Sequence, residues 1–222
     1  MGRADKPICT VCKFMPENPA FDVLCFVIGC LVGIAAGWLA FRKRLFLDDV
    51  TGLLNQRAIV PTLRRQIRRA VRRRSSLCIA LLDIDGFKVV NATFGYGAAD
   101  GLLREFAVRL LGECKRTGAD LLRYRSGDEF LLVLNDMDEK SGTQFLEYLA
   151  RMLGTRPLQI RGRDHLLSFA FGMRPVENAG NSELADLGKG IEKILADCES
   201  RLVKCKDQHR SGRSGFVGDK SS

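Results

Sequence analysis

Leu77-Cys78-Ile79-Ala80-Leu81-Leu82-Asp83-Ile84-Asp85 is the stretch on which the fold turns. A continuous apolar run that breaks into acid at its C-terminal end reads as a central strand buried on both faces. Working outward, Leu121–Arg125 and Glu129–Leu134 read as two further strands, and Ser126-Gly127-Asp128 between them is short and polar enough for a hairpin. Ala98–Cys114 predicts a helix with Leu102, Leu103, Phe106, Leu110 and Leu111 on one face. Downstream, Gly142–Leu153 reads as a helix with Ser141 as its N-cap, Leu166–Met173 as a strand, and Ser182 to about Gln208 as a long helix. Upstream, Pro61 is the expected first residue of a helix whose apolar stripe is Leu63, Ile67, Ala70 and Val71. Strands alternating with helices predict one α/β domain over residues 42–210, its core starting at Asp48, with 211–222 a disordered tail.

The same reading places acids where strands end. Asp83 and Asp85 close the first strand, and Asp128 and Glu129 occupy the hairpin tip. Were the strands neighbours, these carboxylates would converge, and like charges so close are costly without a cation. Oxygen ligands favour Mg²⁺, which bridges one or two carboxylates to substrate phosphates more readily than it fills an all-protein cage. The spacing therefore points towards nucleotide chemistry. Ordinary acidic turn residues give the same pattern, so the acids alone do not decide.

A family resemblance is more specific. Asp48-Asp49-Val50-Thr51-Gly52-Leu53-Leu54-Asn55-Gln56-Arg57 resembles the opening DxLTGLxNRR of the GGDEF (diguanylate cyclase) family. Asp83-Ile84-Asp85-Gly86-Phe87-Lys88-Val89-Val90-Asn91 resembles its DIDxFKxxN, and Phe94–Asp100 its GHxxGD stretch. Ser126-Gly127-Asp128-Glu129-Phe130 stands where the name-giving motif belongs; Ser168–Gly172 resembles the later SIG strand, and Lys206 with Arg210 the closing KxxGR. The resemblance implies a mixed central sheet flanked by helices, related to the palm of polymerases and nucleotidyl cyclases. It also implies a reaction in which two GTP molecules give cyclic di-GMP and two pyrophosphates across a homodimer, one GTP per subunit. Carried over residue by residue, Asp83, Asp128 and the Ile84 carbonyl would hold Mg²⁺, with Mn²⁺ as the alternative ion. Glu129 would help deprotonate the attacking 3′-hydroxyl, with Asp128 beside it. Asn91 and Asp100 would read guanine; Lys88, Lys206 and Arg210 would hold phosphates, and Gly127 would let the hairpin tip approach them.

Departures from the family pattern accompany these matches. Ser126 replaces the first glycine of the motif, Tyr124 stands where arginine is common, and Ala92, Tyr96, Ala99 and His209 replace the usual Asp, His, Gly and Gly. None removes an implied metal ligand or guanine contact. They leave a second reading open, a catalytically weak protein that binds GTP and acts as a membrane-bound sensor or interaction partner. The family's inhibitory RxxD reads Thr117-Gly118-Ala119-Asp120, without the arginine, so tight product feedback is not expected.

Before the domain, Val23–Phe41 is nineteen residues without a charge, closed by Arg42-Lys43-Arg44. That run is expected to form one transmembrane helix after a short tail of residues 1–22. The Lys/Arg bias expects the N-terminus outside and the domain inside, at a bacterial inner (cytoplasmic) membrane. Gly29, Gly33 and Gly37 recur every fourth residue, a spacing that lets two such helices pack closely. Cys9-x-x-Cys12 by itself is half a zinc site. Arg64, Arg65, Arg68, Arg69, Arg72 and Arg73 surround the stripe of the first soluble helix. They form either a solvated face or one that meets anionic lipid. Nucleic acid is not the expected partner, because aromatic platforms and known modules are missing. A net charge of +9 favours anionic partners in general, two histidines exclude an HExxH site, and eight scattered cysteines do not make a disulfide scaffold.

Overall fold

The structure, a computed structural model, describes residues 19–125, 127–160, 162–176 and 186–210. Cys9 and Cys12, Ser126 and the tail 211–222 lie outside the described residues, as do the side chains of His209 and Arg210. The chain divides after Arg44 into two units. The first holds most of α1, Pro19–Phe46, whose apolar side chains, among them Val23, Phe26, Leu31 and Ile34, are exposed. Among the described residues no helix is long and apolar enough to cross a membrane. The uncharged run Val23–Phe41, expected from sequence to span a membrane, lies within α1.

In the second unit, a 3-10 turn at Gln56–Ala58 leads into α2, Ile59–Arg73. Pro61 is the third residue of α2, not the first; it is tolerated because the N–H groups of a first turn have no acceptor inside the helix. There follow β1 (Leu77–Ile84), α3 (Phe87–Phe94), α4 (Tyr96–Thr117), β2 (Asp120–Arg123), β3 (Glu129–Asn135), α5 (Glu139–Gly154), the short β4 (Leu158–Ile160) and β5 (Arg163–His165), β6 (Phe169–Pro175) and α6 (Leu187–Arg210). Asp138 caps α5, and Ser141 sits at its third position, returning a hydrogen bond to complete a capping box.

The sheet order is β2-β3-β1-β6, with β4 and β5 forming a separate hairpin. Every strand pair is antiparallel, which corrects the mixed sheet expected from sequence. The reason is the tight β2–β3 hairpin. β1 and β2 run the same way, joined through α3 and α4, and β3 turns back and inserts between them. Only an isolated bridge between Leu54 and Leu122 is parallel among the described residues.

β1 is buried along its whole length. Cys78, Ala80, Leu82 and Ile84 face a core made with α4 and α5, including Phe106, Leu110, Phe130 and Leu149. Leu77, Ile79 and Leu81 face the other core, made with α2 and α6, including Leu63, Ile67, Ile194 and Leu202. This alternation decides which face each acid at the end of the sheet occupies. Both cores lie in residues after Arg44, so the second unit has what it needs to fold without α1. Three thiols are sealed in them, Cys78 and Cys114 on the α4 side and Cys198 under α6; burial pushes each up to about 12. α6 lies directly on β6 at Gly172, where an added Cβ would sit 2.2 Å from the Cys198 carbonyl oxygen and 2.3 Å from the Leu202 nitrogen.

Candidate active site

Asp83 and Glu129 are direct cross-strand partners at the end of the β1–β3 ladder. Period-two alternation puts both on the α6 face, following Ile79 and Leu81 on one strand and Val133 and Leu131 on the other. The tip between the strands is tied to β1, since the Ile84 N–H donates to the Asp128 carbonyl at 3.3 Å. Gly127 holds φ at 111°, in the left-handed region that glycine enters at little cost, and nothing lies within 4 Å of where its Cβ would be. The glycine requirement here is conformational.

From α6, the Lys206 ammonium reaches the Asp83 carboxylate at 2.5 Å. Burial raises the Asp83 pKa, and the charges of Asp128 and Asp85 push the same way, while the hydrogen bond from Lys206 pulls it back. Glu129 is raised as well, first by burial and then by Asp83 and Asp128, against the opposing Arg125 and Lys206. The end of the sheet thus gathers Asp83, Asp128 and Glu129 around the Lys206 ammonium, with the Arg125 charge acting on Glu129 as well.

Among the described residues no three His, Cys, Asp or Glu side chains gather to cage a metal. The donor set is instead the hard oxygens of Asp83 and Asp128 with nearby backbone carbonyls. Two neighbouring carboxylates, one of them Asp83 with its pKa raised by burial and by like charge, fit a divalent cation that takes its remaining ligands from phosphate or water. The protein alone does not enclose one.

On the opposite face of the sheet lies a residue that the sequence reading passed over. Arg123 is 5% exposed, stacks its guanidinium 4.6 Å above the Phe130 ring, and donates from Nη2 to the Gly127 carbonyl at 2.5 Å. Its Nε lies 3.5 Å from Asp48 Oδ1, which itself accepts hydrogen bonds from the Thr51 N–H and hydroxyl. Nε and Nη1 are buried, with no hydrogen-bond partner among the described residues. Burial lowers the Arg123 pKa, and the charges of Asp48, Asp128, Asp100 and Glu129 hold it up. Arg123 therefore clamps the hairpin tip from beneath and supplies a positive charge to the same acids. The available signal was an arginine continuing the apolar Leu121-Leu122 strand.

Other predicted residues are dispersed around this centre. Lys88 is exposed on the first turn of α3. Asn91 is on α3, its Oδ1 buried with no hydrogen-bond partner among the described residues. Asp100 is half-buried on α4, close enough to Arg123 to act on its charge. A groove of about 580 Å³ opens at the α3–α4 junction, lined by Phe94, Gly95, Gly97, Gly101, Leu158 and Ile160 among others; neither Asn91 nor Asp100 lines it. Arg210 lies at the last position of α6, one turn beyond Lys206. Tyr124 donates its phenol to Glu199 at 2.6 Å, and Arg125 pairs with the same carboxylate at 2.6 Å. Thr117 turns its hydroxyl back onto the Glu113 and Cys114 carbonyls, and Asp120 accepts from Gln66 and Asn135.

Residues 45–211 match the family model described as diguanylate cyclase, GGDEF domain. The chain belongs to the GGDEF family. Among curated GGDEF relatives it is 30% identical over 172 residues to the diguanylate cyclase DgcP of Pseudomonas aeruginosa, covering 78% of this chain and 24% of DgcP. It is 28% identical over 171 residues to the response regulator PleD of Caulobacter vibrioides, covering 77% of this chain and 35% of PleD. The chain therefore spans only a quarter to a third of these relatives' lengths. The coiled coil and GGDEF domain of DgcB from Caulobacter crescentus, solved in complex with c-di-GMP, superposes with a TM-score of 0.72 at 21% identity, covering 88% of this chain and 97% of that one. The diguanylate cyclase SiaD of Pseudomonas aeruginosa, solved with its activator SiaC, gives 0.66 at 25% identity, covering 90% and 71%.

Proposed function

We propose that this GGDEF protein is a diguanylate cyclase that condenses two GTP molecules into cyclic di-GMP and two pyrophosphates. The observation that carries the reading is the cross-strand pair Asp83 and Glu129 beside Asp128, with Lys206 at 2.5 Å from Asp83. In each half-reaction the 3′-oxygen of one GTP bonds to the α-phosphorus of the other, the bond to the β-phosphate oxygen breaks, and pyrophosphate leaves. Glu129, with its raised pKa, is the group placed to take the 3′-hydroxyl proton. Lys206 moves from Asp83 to the phosphates as they arrive, and Arg210 joins it from the next turn of α6. Asn91 and Asp100 accept from guanine, and Lys88 meets phosphate. Asp83, Asp128 and the Ile84 carbonyl would hold Mg²⁺ or Mn²⁺, which would neutralise phosphate charge.

Each subunit holds one GTP, so turnover needs a homodimer. Val23–Phe41 tethers it to the bacterial inner membrane, N-terminus outside and domain inside. The full nineteen-residue uncharged run and the exposed apolar side chains of α1 support that tether. The test uses residues 45–222 with GTP and Mg²⁺, product being followed by chromatography. Asp83→Asn and Glu129→Gln should each lower the rate at least about a hundredfold, as loss of one preorganised electrostatic group does. Equal turnover in both variants and wild type would remove the assignment. GTP binding without turnover in the wild type would favour the weak, sensor-like reading.

A further inference from the structure

The sequence from Val50 to Leu82 contains no aspartate or glutamate, yet it holds the seven arginines Arg64, Arg65, Arg68, Arg69, Arg72, Arg73 and Arg74. Six of them belong to α2, and Arg74 caps it in the left-handed conformation. At 100° per residue Arg64, Arg68, Arg72, Arg65, Arg69 and Arg73 follow one another around about half of the helix circumference. The other half carries Ile59, Leu63, Gln66 and Ile67 into the core. All seven are exposed or half-exposed, and none makes an ion pair among the described residues. A folded surface ordinarily intersperses both signs. Here one helix presents a single sign over several turns and carries no acid of its own; at its start Arg64 Nη2 and Asp186 Oδ1 both come within 4 Å of a Cβ built at Gly188, and the arginines beyond it face outward. At the border of this arc two valines, Val60 and Val71, are exposed.

We propose that the arginine face of α2 is a docking surface for an anionic lipid bilayer. Charge complementarity supplies the attraction, and the two bordering valines suit the boundary between headgroups and acyl chains. Continuity of the chain favours a bilayer over other polyanions. Only Arg42-Lys43-Arg44 separate the apolar run from Leu45, and there the backbone is pinned to the foot of α2. Asn55 Nδ2 donates to the Leu45 and Leu47 carbonyls at 2.9 and 3.0 Å, and the Asn55 N–H donates to Phe46 at 2.8 Å. Four residues after Asn55, α2 begins. A chain leaving a membrane at Phe41 therefore delivers this helix within reach of the headgroups. The inference rests on the tethered reading for its context, but the surface can be tested without α1 and without turnover.

The experiment measures flotation of residues 45–222 with vesicles of phosphatidylcholine alone and of phosphatidylcholine with a quarter phosphatidylglycerol, at 0.15 M salt. Binding is expected only to the anionic vesicles, falling as salt rises. Each basic residue near such a surface is worth about fivefold, so Arg65→Gln, Arg68→Gln and Arg72→Gln together should weaken binding on the order of a hundredfold. The unfolding temperature and GTP turnover of the triple variant in solution should match the wild type, because these exposed side chains make no ion pair among the described residues. A single-stranded RNA and a DNA duplex, titrated at the same salt, form the competing arm. Equal binding to both vesicle types, equal binding of variant and wild type, or tighter binding to either nucleic acid than to anionic vesicles would overturn the proposal.

Discussion

Gly172→Ala adds one methyl group where the structure has no room for it. Its Cβ would lie 2.2 Å from the Cys198 carbonyl oxygen, 2.3 Å from the Leu202 nitrogen and 3.0 Å from the Arg201 carbonyl carbon, all backbone atoms of α6. Rotating a side chain relieves none of these, so helix and strand must separate by about 1 Å or more to restore ordinary contact. Overpacking of this kind costs about 1–3 kcal/mol, which for a domain of this size lowers the unfolding temperature by about 3–10 °C. The damage reaches the site as well. Lys206 is one turn beyond Leu202, and its 2.5 Å approach to Asp83 does not survive a shift of that size. A misplacement near 1 Å costs about a hundredfold in turnover. Thermal unfolding of residues 45–222 checks the first effect and the cyclase assay the second. Gly112→Ala is the control, since nothing lies within 4 Å of that helical glycine, and there alanine should be neutral or stabilising by up to about 1 kcal/mol. If Gly172→Ala unfolds within 1 °C of the wild type, the close seating of α6 on β6 is wrong.

Three other outcomes are expected. In metal-free buffer Glu129→Gln should be more stable than the wild type at pH 7. A carboxyl whose folded pKa is raised stabilises the fold below the ordinary glutamate range of ~4.3 and costs stability as pH rises through its folded value, so the gap should close towards pH 4; urea denaturation at both pH values reads it, and an equal gap at each would contradict the assigned direction. Because Thr117 turns its hydroxyl onto its own helix and Asp120 is already bonded to Gln66 and Asn135, cyclic di-GMP should inhibit only weakly and competitively. Submicromolar non-competitive inhibition would refute that. Nothing lies within 4 Å of a Cβ added at Gly33, so Gly33→Ile should leave the single chain intact yet reduce the extra activity that full-length protein in vesicles is expected to show over residues 45–222; a silent variant would leave α1 no part in assembly.

What the sequence made legible depends on how local the determinant is. β1 was readable because burial on both faces writes itself as an unbroken apolar run, and the hairpin because turn chemistry is local. Once those two were neighbours, the meeting of Asp83 with Glu129 followed from register alone. α3 left no such trace: only Phe87 is buried, and its N-terminus is a glycine with no capping side chain. β4 and β5 are three residues each, and β5 reads Arg163-Asp164-His165, without apolar alternation. The antiparallel order comes from β3 inserting between β1 and β2, a choice made by tertiary packing. Arg123 was illegible for the same reason. A strand arginine is ordinarily a solvated edge residue, and its burial against Phe130 depends on Asp48 and Gly127 arriving from elsewhere in the chain.

The sealed thiols give the domain built-in clocks. A cysteine held near pKa 12 inside a dry core hardly reacts with an alkylating reagent, so each is modified only in the moments when its own layer parts. Cys78 and Cys114 time the opening between the sheet and α4, and Cys198 times the lifting of α6. Removing α1 takes away the exposed Cys25 and Cys30 that would label at once. Labelling rates at these three positions, followed separately from the half-buried Cys205, then tell whether the helix that carries Lys206 lets go of the sheet before the rest of the molecule does.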